Sequence, residues 1–385
     1  MVKRIDGPKF SIGDRLLWHL SNLLALAISL ALVIAAVIIF PFRGIHKMSF
    51  RWLLKFTFFV GLIIFIFGAY LYYSPQDKKN FGAKTKYLIV RRGDTVFDIG
   101  YKLQQMGAVS SQLNFVIFAK LPWQSKKLKA GRFALAPGYS IAQIIGIITR
   151  GASVPYTVTI PEGLTIQQTA MHLSSQLEFE PSDFIAACTS RVMLDSLGIA
   201  ADNLEGYLFP DTYDFFYDES AVSVVNKMVK RFFETLPPDF EEKAAQQGLD
   251  FDEAIILASM IEKEAMLDSE RPIISAVYNS RLRKNMLLQC DPTVIYAHGG
   301  KNRPLYYSDL QIDSPYNTYK YLGLPPAPIC SPGKASLIAA VNPADVDYLY
   351  FVAKGDGSHI FSYTNAEHES AKKRVRRTKL IGFTP

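Results

Sequence analysis

The chain has 385 residues, 49% of them hydrophobic, and a formal net charge of +7. That length exceeds one ordinary domain and predicts two or three modules with a sizeable core. Residues 1–80 hold ten Lys/Arg against three Asp and no Glu, so the basic excess sits there, which argues against a basic groove for nucleic acid in the balanced remainder.

In chain order, residues 23–42 and 56–73 are two uncharged apolar runs, each long enough to cross a bilayer, and they predict a membrane anchor of two segments within residues 1–80. The link between them carries Arg43, Lys47, Arg51 and Lys55 with no acid, which predicts a cytoplasmic link and an outward-facing C-terminal part. Tyr70, Tyr72 and Tyr73 suit an interfacial belt. Next, Tyr87-Leu-Ile-Val-Arg-Arg-Gly-Asp-Thr reads as strand and turn, with Thr95 as N-cap of a helix whose face carries Val96, Ile99 and Leu103. A related pattern returns at Tyr156-Thr-Val-Thr-Ile-Pro-Glu-Gly-Leu-Thr. The first of these small βα modules resembles the lysin-motif fold, which in its family binds glycan chains.

Residues 174–248 read as mainly helical, interrupted by the aromatic and Pro-rich Leu204-Glu-Gly-Tyr-Leu-Phe-Pro-Asp-Thr-Tyr213. Aromatic faces and carboxylates together suit sugar binding, although such a loop also suits core packing. A helix is predicted from about Phe251 to Met266, and a second follows with Ser269 as its N-cap and Pro272 in its first turn. Pro- and Gly-rich loops at 287–294, 314–319 and 322–333 are places where site residues tend to be carried. Asp347–Ala353 and Ile360–Tyr363, joined through Gly355-Asp-Gly357, read as a hairpin. The basic run Lys372-Lys-Arg-Val-Arg-Arg377 reads as a solvated helix end.

The sequence has no Gly-x-Ser-x-Gly elbow, no phosphate-cradling loop with Lys-Ser/Thr and no His-Glu-x-x-His, and its six histidines are scattered, so neither a metal nor a cofactor is expected. Ser331-Pro-Gly-Lys334 matches Ser-x-x-Lys but lacks the companion Lys-Thr-Gly, and its Pro-Gly argues against the helix start such a nucleophile needs. Cys188, Cys290 and Cys330 match no zinc pattern; a Cys290–Cys330 bridge is open to an exported domain. What remains is carboxylates. In Leu257-Ala-Ser-Met-Ile-Glu-Lys-Glu264, Glu262 and Glu264 point about 200° apart on one apolar helix, and helical geometry does not choose between them. A carboxyl desolvated there stays protonated near neutral pH, which is how a general acid is made.

Six motifs occur together and in order: Leu204-Glu-Gly-Tyr-Leu-Phe-Pro-Asp-Thr-Tyr, Ala258-Ser-Met-Ile-Glu-Lys-Glu264, Gln289-Cys-Asp-Pro-Thr-Val, Tyr316-Asn-Thr-Tyr, Gly323-Leu-Pro-Pro and Tyr348-Leu-Tyr-Phe-Val. On them the chain resembles the endolytic murein transglycosylases, the YceG-like family, over roughly residues 87–372. The resemblance implies an α+β protein: a membrane anchor, a lysin-motif-like module over 87–153, a catalytic domain over 154–372 and a basic tail over 373–385. It implies a protein of the cytoplasmic membrane whose catalytic domain faces the extracytoplasmic, periplasmic side and cuts nascent peptidoglycan strands internally, with cell-wall synthases as candidate partners. The family usually has one membrane span, where two are suggested here. The family's catalytic glutamate falls on Glu264. The implied chemistry protonates the bond between N-acetylmuramic acid and N-acetylglucosamine and closes the muramyl C6 hydroxyl on C1, leaving a 1,6-anhydro end.

Residue type and loop position make Gln289, Tyr316, Asn317 and Tyr319 candidates for holding the sugar, with Glu205 and Tyr207 lining the cleft and Asp291 beside them. A hydrolase on the same glycan would recruit Asp268 or Asp291 as its second carboxylate. The competing class is a peptidoglycan-binding scaffold that does not cut, which has no need of an acid in an apolar helix.

Overall fold

The computed structural model describes residues 50–73, 84–121, 128–177, 179–300 and 305–381. The chain divides between Pro155 and Tyr156 into two units.

In the first unit, strands β1 (Lys86–Val90) and β2 (Gly131–Leu135) pair antiparallel with Leu88 opposite Phe133. Alternation along both strands turns Leu88, Val90, Phe133 and Leu135 to one face, as the period-2 pleat requires. Helices α2 (Val96–Gln105), α3 (Gln112–Ala119) and α4 (Ile141–Arg150) cover that face, supplying Ile99, Leu103, Phe115, Ile144, Ile145 and Ile148 to one core. Their starts are fixed locally. Thr95 caps α2 and Ser140 caps α4, each answered by a side chain three residues on, Asp98 and Gln143, in a reciprocal capping box.

The expected membrane anchor is corrected. Among the described residues no helix is long and apolar enough to cross a membrane. Residues 23–42 lie outside the described residues, and the second apolar run falls in helix α1 (Phe50–Tyr73), which starts earlier than the run and takes Arg51 and Lys55 into the helix. At its other end Tyr70 donates a hydrogen bond to Asn114 and its ring lies 6.5 Å from Phe118. The side chain read as a lipid-interface residue therefore contacts protein. The mixed α+β character of the rest holds.

In the second unit, β3 (Tyr156–Thr159) pairs antiparallel with β4 (Thr212–Phe215), a strand inside the loop-like aromatic stretch. Between and after them run α5 (Ile166–Ser174), α6 (Pro181–Cys188), α7 (Arg191–Leu197), α8 (Ala221–Thr235) and α9 (Phe240–Gln246). At the centre is α10 (Phe251–Glu264), capped by Asp250 with Glu253 answering, and buried continuously from Ala254 to Ile261. A helix apolar on every face must be enclosed on every face. α11 (Arg271–Arg283), α12 (Asp291–Ala297) and α13 (Lys334–Val341) pack around it.

Strands β5 (Tyr350–Ala353) and β6 (His359–Ser362) form the predicted hairpin, with Phe351 opposite Phe361, and α14 (Asn365–Ile381) follows. Ser269 does not cap α11. It lies in a short 3-10 turn, Asp268–Glu270, whose carboxylates are committed elsewhere: Asp268 to Arg271 at 3.0 Å and Glu270 to His359 at 2.7 Å.

Candidate active site

The last turn of α10 separates the two glutamates that helical geometry left equivalent. Glu262 turns inward to the backbone N–H of Gly333 at 2.9 Å and the guanidinium of Arg271 at 3.2 Å, both side chains of the pair being buried. Arg271 also donates to Ser336 and Asp268. Glu262 is thus neutralised in a structural network, and Asp268, the alternative second carboxylate, faces Arg271 and solvent.

Among the described residues Glu264 has no Lys or Arg ion-pair partner. Its half-buried side chain accepts a hydrogen bond from the Tyr278 hydroxyl at 3.2 Å, and the Cys290 thiol is beside the same carboxyl and favours its ionised form. Desolvation raises its pKa above the ordinary 4.5, and the negative charge of Asp291 adds to the rise, while the Cys290 and Tyr278 hydrogen bonds and the nearby His359 pull the other way. Burial dominates, so the carboxyl keeps its proton to higher pH than an exposed glutamate does. Tyr278 and Cys290 are themselves fully buried and pushed well above their ordinary values by desolvation, so both remain protonated donors.

The loop holding Cys290 is strained where it turns. Gln289 has φ 49°, a left-handed conformation costly for a side chain other than Gly, of order 1–3 kcal/mol. Thr318 holds the turn in place: its carbonyl accepts from Gln289 N–H at 3.1 Å and its hydroxyl from Cys290 N–H at 2.9 Å. The turn leaves Gln289 exposed, buries Cys290 against the acid and starts α12 at Asp291. Asp291 in turn accepts from Tyr319 at 2.5 Å, and Glu264 also acts electrostatically on Tyr319.

The structure therefore brings Glu264, Asp291 and Tyr319 together, with Gln289 beside them in the chain. Glu205 and Tyr316 belong to a second cluster. Both Glu205 oxygens accept from Ile166 N–H at the start of α5 at 3.2 Å, Tyr296 donates to it at 3.4 Å, and the rings of Tyr296 and Tyr316 lie 5.0 Å apart. Burial pushes the Glu205 carboxyl up to about 7. Tyr207, expected at the cleft wall, is 2% exposed and lies in the core against Phe232, its hydroxyl on Asp252. Asn317, expected to hold sugar, is buried: its amide donates to the carbonyls of Leu310 and Ile312 and accepts from Tyr319 N–H. Both of its ends are used in folding the loop.

Sequence reasoning missed Tyr278, which sits among consecutive buried residues of α11 and carries no local sign of its role. Cys290 and Cys330 do not pair. Both are free, and the Cys330 thiol donates to Ser259 O at 3.4 Å. Among the described residues no group of three His, Cys, Asp or Glu could hold a metal ion.

The second unit places a desolvated carboxyl on the end of a buried helix, beside exposed polar loops, an arrangement suited to acid catalysis. The YceG-like family matches residues 88–374. The chain is 32% identical over 339 residues to an endolytic murein transglycosylase of Bacillus subtilis, covering 82% of this chain and 92% of that protein. It is 30% identical over 351 residues to an endolytic murein transglycosylase of Streptococcus pneumoniae, covering 81% of this chain and 63% of that longer protein. A crystal structure of a YceG-like protein from Listeria monocytogenes superposes with a TM-score of 0.52 at 32% identity, over 75% of this chain and 99% of that one. The chain belongs to the YceG-like family.

Proposed function

We propose that the protein cuts peptidoglycan glycan strands internally, in the extracytoplasmic space, at the bond between N-acetylmuramic acid and N-acetylglucosamine, with Glu264 as the single acid and base. The enzyme class, a lytic transglycosylase, follows from the family and from relatives of that name. The bond cut, the product and the location are the proposal.

One observation carries it: Glu264 sits desolvated at the end of a buried helix with its pKa raised, and the Tyr278 hydroxyl donates to it. The acid gives its proton to the glycosidic oxygen as the bond to muramyl C1 breaks. The muramyl C6 hydroxyl then closes on C1, and its proton passes to the Glu264 carboxylate. Water is not consumed, and the acid is regenerated. Asp291 is the nearest alternative to a one-carboxylate scheme, because its charge acts on Glu264. Its Oδ1 is already engaged by the Tyr319 hydroxyl, so its role here is electrostatic. A non-cutting scaffold has no use for a buried acid without a cation.

The test is mass spectrometry of fragments released from purified glycan strands by the protein and by Glu264→Gln. Anhydro-muramyl ends from the parent, lost in the variant, are expected. Reducing ends would move the reaction to hydrolysis with Asp291 as base, and binding without any cleavage would return the scaffold reading.

A further inference from the structure

A groove of about 660 Å³ lies away from Glu264, between β6 and the start of α14, with Tyr348, Phe361, Tyr363, Glu367 and Arg374 among its lining residues. We propose that this groove is a subsite for the peptide stem of a peptidoglycan strand, Arg374 taking a stem carboxylate and the paired tyrosines carrying the adjoining sugar; this rests on the murein reading above.

The chemistry of the lining selects that occupant. Tyr348 and Tyr363 lie 4.5 Å apart between ring centroids, and Tyr363 is half exposed. An aromatic face presented to solvent beside hydroxyls suits the apolar face of a pyranose. Phe361 adds apolar surface to the lining beside the two tyrosines. The two charged groups differ in availability. Glu367 is already engaged as a helix cap, its Oε2 accepting from Tyr363 N–H at 2.9 Å and Thr364 N–H at 3.1 Å. The exposed guanidinium of Arg374 has no ion-pair partner among the described residues, although Glu369 next in the same helix is paired with Lys372. An open arginine fork matches a carboxylate. In a stem-bearing strand the muramyl lactyl groups are amidated, so the sugars leave that cation without a ligand and the carboxylate ending the peptide stem supplies one.

The hairpin also ties this groove to the acid. Phe351 packs edge-on against Tyr278 at 5.9 Å, the same Tyr278 that donates to Glu264. Phe351 in turn meets Phe361, its cross-strand partner, at 6.2 Å, and Phe361 meets Tyr348 at 5.6 Å. The basic run at 372–377, which reads as a solvated helix end, thus contributes Arg374 to a lined groove.

The test uses the full chain carrying Glu264→Gln, so that strands are bound and not cut, with fluorescently labelled glycan strands either bearing stems or stripped of them by an amidase and then amidated with methylamine at the lactyl carboxylates so exposed. Arg374→Gln is expected to weaken binding of stem-bearing strands about five-fold, the scale of one exposed ion pair, and to leave stripped strands unchanged. Tyr363→Ala is expected to weaken both. Equal loss on both strand types with Arg374→Gln, no loss on either, or no preference of the parent for stem-bearing strands would overturn the proposal. Far-ultraviolet circular dichroism of each variant separates a local loss from unfolding. The reaction itself is read separately from the product ends made by the protein with Glu264 intact, so a wrong bond assignment and a wrong subsite give different results.

Discussion

Asp291 and Tyr278 act on the Glu264 carboxyl with opposite signs: the charge of Asp291 raises its pKa, and the hydrogen bond from Tyr278 lowers it by favouring the ionised form. Because cleavage needs the protonated acid, kcat/KM is expected to fall on the alkaline side as Glu264 ionises. Asp291→Asn removes the raising charge and is expected to move that alkaline limb to lower pH. Tyr278→Phe removes the donor and is expected to move it higher, while kcat falls because the carboxyl loses its orientation. A pH profile of each variant decides the matter, and two shifts of the same sign would show that the acid is some other group. The choice of Glu264 over Glu262 was not legible in the local sequence. It depends on Gly333 and Arg271, and Gly333 is 71 positions away from the glutamate it binds. The family resemblance points to Glu264 where helical geometry leaves both glutamates open.

Glu205 joins elements that are remote in sequence, the first turn of α5 through Ile166 N–H and α12 through Tyr296. Its folded-state carboxyl is pushed up to about 7 from an ordinary 4.5, chiefly by burial. The sign follows from linkage: a group whose folded pKa is raised contributes fully below about 4.5, and that contribution is lost as pH rises through about 7. The full loss is worth about 3 kcal/mol. Glu205→Gln is therefore expected to gain stability relative to the parent between pH 5 and pH 8, read as the difference in urea unfolding free energy at the two pH values. A variant uniformly less stable at both would mean that the carboxyl is ionised in the fold. Elements with local signals were legible: Thr95 and Gly93 announce α2, and the β5–β6 hairpin is announced by Gly355-Asp-Gly357. β4 was not, since Thr212–Phe215 becomes a strand only by pairing with β3, 53 or more positions earlier. Nor was the missing Ser269 cap, because Glu270 is drawn to His359, 89 positions on.

Across the whole molecule, the groups assigned to chemistry all come from one side of the boundary at Pro155 and Tyr156. The second unit has its own continuous core, from Val158 and Phe215 through α10 to Leu337 and Val341, and its first strand, β3, begins at the boundary and finds its partner within the unit. The first unit closes a separate core of Leu88, Phe115, Phe133 and the isoleucines of α4. Two cores without shared members predict two folding units. A fragment of residues 154–385 is therefore expected to unfold cooperatively and to keep both the anhydro-product chemistry and the alkaline limb set by Glu264, since Tyr278, Cys290 and Asp291 travel with it. The first unit's contribution is then expected in KM on long strands, with kcat on short oligosaccharides unchanged. Thermal melting followed by circular dichroism tests the folding claim, and product analysis on short and long strands tests the rest. A fragment that folds but loses kcat on short oligosaccharides would place part of the catalytic machinery before residue 154.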